Sequence, residues 1–223
     1  MPEHDRVAAL VPAAGAGTRL ASGPKAFIDL AGKTLLARVV DAFEGQVDEI
    51  VVAVSRSMLE VAQGLLAGRA RVIEGGESRQ ESVYRLLAAT DAGVVLVHDA
   101  ARPFLARRVI AGVRHTVAHV GAASAAVPVA DTLIEAATGA ALDREALRAV
   151  QTPQGFYRGL LLEAHAHALA HGVEATDDAG LVRAMGHPVA LVTGSPWLMK
   201  VTTTADLEMA RALAAAWAEL RDR

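Results

Sequence analysis

Short apolar runs rich in β-branched residues alternate with longer helix-like segments along almost the whole of this 223-residue chain. This alternation predicts right-handed strand–helix–strand units and an α/β fold with a mostly parallel, twisted sheet. Several runs are apolar almost throughout, as expected of strands that helices cover on both faces. The predicted strands are Ala8–Pro12, Glu49–Val54, Arg71–Glu74, Val94–His98, Ala122–Pro128, Ala149–Gln151 and Val189–Thr193.

The intervening segments carry apolar residues at helical spacing, and Ser78 with Glu81 forms a capping-box pattern before one of them. In a sheet of this kind, a ligand pocket is expected beyond the carboxyl ends of the strands. The predicted helices are Leu35–Phe43, Met58–Ala67, Arg79–Ala89, Arg107–His119, Tyr157–His171, Asp178–Met185 and Ala205–Leu220.

Composition limits the class of protein. A hydrophobic fraction of 52% is enough for one sizeable core, so we predict a single domain over residues 1–223. The net charge of −3 gives no basic surface for nucleic acid, and the lack of cysteine excludes disulfides and thiolate sites. A polar amino terminus and the lack of a membrane-length apolar run predict a cytoplasmic protein that does not bind membranes.

One segment, Val129 to Arg148, interrupts the strand–helix alternation with polar residues and two short alternating stretches. It fits either a β-arm that protrudes from the domain or a long surface loop.

The loop after the first strand contains Ala13–Gly17, followed by Arg19 and the pair Pro24-Lys25. Small residues let main-chain amides approach a ligand, and two cations within one loop favour a polyphosphate. The spacing lacks the third glycine of dinucleotide-binding loops and the Gly-Lys-Ser/Thr of P-loops. The remaining alternative is a glycine turn with solvated cations.

Two further loops follow strands. Gly75-Gly76-Glu77, with Ser82 one turn into the next helix, exposes main-chain groups that could read a base, but taken alone this pattern favours an ordinary capped strand-to-helix turn. Asp99-Ala100 ends another strand, where a carboxylate can receive a ligand hydroxyl or a metal–phosphate complex. The simpler reading of Asp99 is a structural ion pair with Arg102.

Other polar residues are weak signals individually. Arg144, Thr152 and Lys200 stand near strand ends, where surface cations are usually only solvated. Two histidine pairs at i, i+4 spacing lack the glutamate and third ligand of zinc sites, so we predict that they are surface residues. These pairs are His115/His119 and His167/His171.

Together these segments resemble the family of 2-C-methyl-D-erythritol 4-phosphate cytidylyltransferases of the non-mevalonate isoprenoid pathway. The resemblance covers nearly the whole chain in order, and Val97–Pro103 is its most specific part. The matching segments are Ala13–Arg19, Pro24-Lys25, Gly75–Val83, Val97–Pro103, Asp131-Thr132, Arg144, Gln151–Gln154, Thr176–Asp178 and Lys200–Thr202.

The resemblance implies a Rossmann-like, three-layer nucleotidyltransferase fold with a protruding β-arm. It implies transfer of CMP from CTP to the sugar-alcohol phosphate 2-C-methyl-D-erythritol 4-phosphate, with Mg²⁺ bound mainly through the CTP phosphates. It also implies a homodimer in which an arm at about residues 129–148 carries Arg144 into the partner's site.

The resemblance also assigns roles to single residues, but it identifies no metal ligands. The catalytic residues would be Arg19, Lys25 and Lys200. CTP would be bound by Ala13, Ala14, Gly15, Ala16, Gly17, Gly75, Gly76, Glu77, Ser82, Asp99 and Ala100. The acceptor would be bound by Asp99, Arg102, Arg144, Thr152 and Lys200.

The chain departs from the family pattern at two positions. Leu198 stands where an asparagine is common, and Thr18 replaces a second basic residue beside Arg19. Three other functions stay open: a ribitol 5-phosphate cytidylyltransferase, a sugar nucleotidyltransferase that uses UTP, ATP or GTP, and a catalytically silent nucleotide sensor.

Overall fold

Seven strands form one mixed sheet in the computed structural model, which describes residues 6–15 and 23–220. A separate two-stranded hairpin follows the first strand. The strands are β1 Val7–Pro12, β2 Asp29–Leu30, β3 Lys33–Thr34, β4 Glu49–Val54, β5 Arg71–Glu74, β6 Val94–Val97, β7 Ala122–Pro128, β8 Arg148–Tyr157 and β9 Ala190–Thr193.

The strand order in the large sheet is β5-β4-β1-β6-β8-β7-β9. β1 runs parallel to β4 and β6, β4 runs parallel to β5, and β7 runs parallel to β9. Only β8 is antiparallel to its neighbours, β6 and β7. The prediction of a mostly parallel sheet is therefore confirmed.

Helices cover both faces of this sheet. The helices are α1 Leu35–Phe43, α2 Leu59–Leu66, α3 Arg79–Ala88, α4 Arg107–Val120, α5 Arg158–His171, α6 Asp178–Ala184 and α7 Thr204–Leu220. Alternate residues of β1 point to opposite sides, so Ala9 packs with α1, α2 and α4, whereas Leu10 packs with α3, α5 and α6. The predicted three-layer arrangement is confirmed.

The observed strands differ from the predicted ones in three places. The short hairpin of β2 and β3 was not expected, because each of its strands has only two residues. The predicted strand at 149–151 is the start of the ten-residue strand β8, which ends at Tyr157 where a helix was expected to begin. Val94–His98 was also one residue too long, since β6 ends at Val97.

The segment between β7 and β8 is an exposed β-arm and not an irregular loop. Its base continues the β7–β8 pairing as far as Pro128 opposite Arg148. At its tip, Ile134 and Ala141 form an antiparallel bridge, flanked by a 2.8 Å hydrogen bond from Leu142 N–H to the Leu133 carbonyl. The β-arm alternative is therefore the correct one.

Candidate active site

A cleft of about 390 Å³ opens beyond the carboxyl ends of the parallel strands β1 and β6. This is the edge at which parallel α/β sheets bind ligands. Its walls come from the loops after β1, β5 and β6 and from two lysines that are far apart in sequence. The lining residues are Pro12, Ala13, Ala14, Gly15, Lys25, Ala26, Gly76, Glu77, Ser78, Arg79, Ser82, Asp99, Ala100, Ala101 and Lys200.

Most of the predicted site residues therefore meet in one place. Gly75 lies directly beside the loop after β1, while Arg102 and Thr152 contact the Asp99 segment. Arg144 is on the arm and does not line the cleft of its own chain. Ala16, Gly17 and Arg19 lie outside the described residues.

The Gly75-Gly76 turn is held by the first turn of α3. The Gly76 N–H donates to Ser82 Oγ at 3.0 Å, and this hydroxyl donates to the Ser78 carbonyl at 2.9 Å. The Ser78 hydroxyl caps the helix by accepting from the Glu81 N–H at 3.0 Å. The Gly75 and Glu77 N–H groups also have partners, the Val54 carbonyl and the Glu81 carboxylate, so the turn is fixed by its own hydrogen bonds.

Gly75 is required because the two glycine loops approach each other closely. A Cβ added at Gly75 would lie 2.6 Å from the Cβ of Ala14, a distance that forces one loop to move. The two glycine loops of the cleft are therefore packed against each other at Gly75.

We expect Gly75→Ala to weaken CTP binding by about tenfold or more, because relieving overpacking of this kind typically costs about 1–3 kcal/mol. Isothermal calorimetry with CTP measures the effect. Gly64→Ala in α2 is the matched control, since a Cβ there meets nothing within 4 Å. Equal CTP affinity for the two variants would contradict the close packing of the loops.

Asp99 is the charged centre of the cleft. Its carboxylate accepts from Arg79 Nε at 3.0 Å and from Lys200 Nζ at 2.7 Å. Burial alone would raise the pKa of Asp99, but the charges and hydrogen bonds of Arg79 and Lys200 hold this pKa well below its usual range. The expected Asp99–Arg102 ion pair is wrong, because Arg79 and Lys200 are the partners.

Arg102 instead fastens the loop that carries Lys200. Its Nη1 donates to the Leu198 carbonyl at 2.6 Å, and the Val201 N–H donates to the Ala101 carbonyl at 2.9 Å. The Leu198 side chain is fully buried in the core. The unusual leucine thus works as an apolar anchor for the loop, in place of the hydrogen bonds of an asparagine.

Thr152 supports Asp99 from β8. Its hydroxyl accepts from the Asp99 N–H at 3.1 Å and lies 3.0 Å from His98 Nδ1, while His98 Nε2 lies 3.0 Å from the Arg102 carbonyl. Burial lowers the pKa of His98 to about 4, so the ring is neutral at pH 7. A carbonyl only accepts, so Nε2 carries the proton and Thr152 donates to Nδ1.

The low pKa of His98 predicts a loss of stability in mild acid. The ordinary pKa of 6.5 in the unfolded chain exceeds the folded value of about 4. The unfolded chain therefore binds more protons between these values, and stability falls as the pH drops from 6.5 towards 4. Protonation of His98 in the unfolded chain lowers the free energy of unfolding by at most about 1.4 kcal/mol per pH unit.

Urea unfolding of the wild type and of His98→Gln at pH 7 and pH 5 tests this expectation. The wild type should lose more free energy of unfolding than the variant between the two pH values. An equal loss in both proteins would show that His98 is not the titrating group.

Sequence reasoning missed Arg79 and Asp178 as members of the site. Arg79 is the first residue of α3, and its Nη2 donates to Asp178 Oδ2 at 2.8 Å. Burial lowers the pKa of Arg79, but the carboxylates of Asp178 and Asp99 more than offset this and raise it. A cation in the first turn of a helix opposes the helix dipole and needs acidic partners. The position of Arg79 in the sequence was therefore the signal that could have indicated its carboxylate partners.

Residues 6–15 and 23–220 contain no cluster of three or more histidine or carboxylate side chains that could hold a metal ion. In the same part of the chain, no helix is long and apolar enough to cross a membrane.

The fold and the cleft are those of a Rossmann-like protein of the nucleotidyltransferase class, with a pocket lined by cations at the carboxyl edge of its sheet. The family model described as 2-C-methyl-D-erythritol 4-phosphate cytidylyltransferase matches residues 7–215. This chain belongs to that family.

Named relatives agree with this assignment. The cytidylyltransferase of this name from Deinococcus radiodurans is 55% identical over 211 residues, which cover 93% of this chain and 89% of the relative. The crystal structure of the Thermus thermophilus protein of the same name is 46% identical, covers 94% of this chain and 99% of its own, and has a TM-score of 0.84. The Francisella tularensis structure is 28% identical, covers 93% of this chain and 99% of its own, and has a TM-score of 0.81.

Proposed function

We propose that this chain transfers CMP from CTP to 2-C-methyl-D-erythritol 4-phosphate, giving 4-diphosphocytidyl-2-C-methyl-D-erythritol and pyrophosphate for isoprenoid precursor synthesis. Membership of the family supports this reaction. The observation that carries it is the meeting of Lys25, Arg79 and Lys200 around one cleft beside two glycine loops.

The reaction needs no protein nucleophile. The acceptor phosphate is already an anion, so its oxygen attacks the α-phosphorus of CTP in line and pyrophosphate leaves. The obstacles are repulsion between the two anions and the charge that builds on the α-phosphoryl oxygens. Positioning and electrostatic stabilisation therefore supply the catalysis.

We assign the charge stabilisation to Lys25 and Lys200, and we retain Arg19 as a prediction for the same role. Lys200 Nζ donates to the carboxylate of Asp99. A phosphate competes well for this flexible ammonium, because the side chain is half exposed and its point charge needs no fixed geometry. Lys200 can thus be held in place before the acceptor arrives.

The acceptor is expected to lie against the Asp99–Arg102 loop. Arg102 Nε is buried without a hydrogen-bond partner among the described residues, but Arg102 does not line the cleft, so a contact with the acceptor would require this loop to move. The Thr152 hydroxyl donates its hydrogen bond to His98, so it can only accept a hydrogen bond from a hydroxyl of the sugar-alcohol phosphate. The base of CTP would lie against Gly75, Gly76 and Glu77.

Mg²⁺ is expected to be bound mainly through the CTP phosphates. The carboxylates that line the cleft are Asp99 and Glu77, and both oxygens of Asp99 are already paired with cations. This fits a metal that would take most of its ligands from phosphates and water. When bound, Mg²⁺ would neutralise part of the triphosphate charge.

The dimer is part of the same proposal. Arg144 and the apolar arm residues Leu133, Ile134 and Leu142 are exposed in the single chain. A second copy that packs on the arm would cover these residues and receive Arg144 at its cleft. A cytoplasmic location is also proposed, because CTP is an intracellular nucleotide.

The deciding experiment measures pyrophosphate release with each of CTP, UTP, ATP and GTP against both methylerythritol phosphate and ribitol 5-phosphate. We expect release with CTP and methylerythritol phosphate only. Activity with ribitol 5-phosphate or another triphosphate would favour one of the related transferases. CTP binding without release in any combination would indicate a nucleotide sensor.

A further inference from the structure

A line of alternating charges runs from the cleft into the core behind it. Lys200 Nζ lies 2.7 Å from Asp99 Oδ2, and Asp99 Oδ1 lies 3.0 Å from Arg79 Nε. Arg79 Nη2 continues the line to Asp178 Oδ2 at 2.8 Å. The line ends at His165, whose Nε2 is 3.7 Å from Asp178 Oδ1.

Asp178 is the buried end of this line and is out of reach of substrate. Its side chain is 1% exposed, and it does not line the cleft. Burial would raise the pKa of Asp178, but Arg79 and His165 lower it, so the carboxylate stays charged. An ion kept in the core requires a partner with fixed geometry, and the planar fork of Arg79 supplies this by bridging two carboxylates.

We infer that Asp178 is a positioning residue of the active site, which acts through Arg79 to fix the carboxylate of Asp99. This inference deepens the proposed function and rests on it. Asp99 is held from opposite sides by Arg79 of α3 and by Lys200 of the last loop, with Thr152 of β8 on its N–H. When Lys200 turns to a substrate phosphate, Arg79 is the cation that remains on Asp99.

The surroundings of Asp178 fix it from two further directions. α6 begins at Asp178, and the preceding Asp177 caps it by accepting from the Gly180 N–H at 2.9 Å. His165 of α5 faces the second carboxylate oxygen, and its ring is 6.1 Å from that of Tyr84 of α3. His165 Nε2 and Asp178 Oδ1 are both buried without another hydrogen-bond partner among the described residues. A shift of a few tenths of an ångström would join them.

A double-mutant cycle tests whether Asp178 acts through Arg79. The four proteins are the wild type, Asp178→Asn, Arg79→Gln and the double variant. The measured quantities are the Kd for CTP by calorimetry, the kcat/KM for pyrophosphate release and the thermal midpoint. We expect each single change to weaken both functional quantities, and Asp178→Asn to add almost nothing once Arg79 is gone. The expected coupling is at least about fivefold.

Asp177→Asn is the matched control, because it makes the same chemical change one residue earlier, at a carboxylate that does not touch Arg79. It should lower the thermal midpoint, and its functional effect should multiply with that of Arg79→Gln. If Asp178→Asn does not fold, Asp178→Glu replaces it in the same cycle, since it retains the charge but displaces the oxygens.

Independent, multiplying effects of the Asp178 and Arg79 changes on both quantities would overturn the inference. The proposed function has a separate outcome. If the wild type binds CTP but releases no pyrophosphate with any acceptor, that function fails, and the cycle on CTP affinity still decides the role of Asp178.

Discussion

Lys25→Ala is expected to lower kcat/KM for cytidylyl transfer by about 10²–10³-fold while the protein stays folded, because it removes one preorganised cation from the transition state. Lys25 follows Pro24 and opens a short 3₁₀ turn whose Ala26 is buried, so the backbone beneath the ammonium is held in place. Pyrophosphate release under kcat/KM conditions measures the loss. Turnover near that of the wild type would remove Lys25 from the transition state.

Lys33→Ala is the matched control for the loss of a lysine. Lys33 pairs with Asp41 at 2.6 Å on the surface and does not line the cleft that contains Lys25. Exposed ion pairs typically contribute about 0–1 kcal/mol, so activity should stay close to that of the wild type. An equal loss in the two variants would point to a general effect of surface charge.

Arg144→Ala is expected to abolish most activity, and the defect should be complemented in trans. Within its own chain, Arg144 contacts the Ala130 carbonyl at 2.9 Å and Glu145 at 3.5 Å, both on the arm. If it completes the partner's site, a heterodimer of Arg144→Ala and Lys25→Ala chains contains one intact site. Random mixing of the two inactive proteins should then restore about a quarter of the wild-type activity.

A mixture of Lys25→Ala and Lys200→Ala chains provides the control for complementation. Both lysines line the cleft of the same chain, so every site in this heterodimer lacks one of them and no recovery is expected. Recovery in this mixture, or none in the Arg144 mixture after subunit exchange has been demonstrated, would contradict an active site shared between subunits.

The sheet was largely predictable because most of its strands are short apolar runs bounded by polar turns. β4, β5 and β7 have the predicted bounds. β8 was truncated because Pro153 and Gly155 argue against a strand interior. The structure explains Gly155, since a Cβ there would lie 2.6 Å from Val113 Cγ1 of α4. This close approach of helix and strand has no local sequence signal.

The hydrogen-bond partners of the buried amides in β8 also escaped prediction, because these partners are distant in sequence. Gln151 exchanges hydrogen bonds with the main chain of Ser195, at 2.9 and 3.1 Å. Gln154 donates to Asp177 at 2.6 Å and accepts from the Ala179 N–H at 3.0 Å. Buried amides of this kind are stable only when such partners exist, and the partners become known only once the chain has folded.

The residues of the candidate site likewise include some that the sequence indicated and some that it did not. Loops that follow strands indicated Lys25 and Asp99 in advance, since the ends of parallel strands meet at one edge, whereas Lys200 was indicated only by the family resemblance. Arg79 and Asp178 were missed because their pairing joins the first residues of two helices that are far apart in the chain. The role of Arg102 as the fastening of the Leu198 loop likewise depends on a long-range contact.

The antiparallel strand β8 has a mechanical consequence for the enzyme. It leaves the arm at Arg148, and only four residues later it supports Asp99 through Thr152, a span of about 13 Å of extended chain. Subunit assembly at the arm would therefore restrict the movement of the Asp99 carboxylate, because β8 connects the arm directly to Thr152. We expect a monomeric form made by arm truncation to hold Asp99 less firmly, in addition to lacking Arg144 from a second chain.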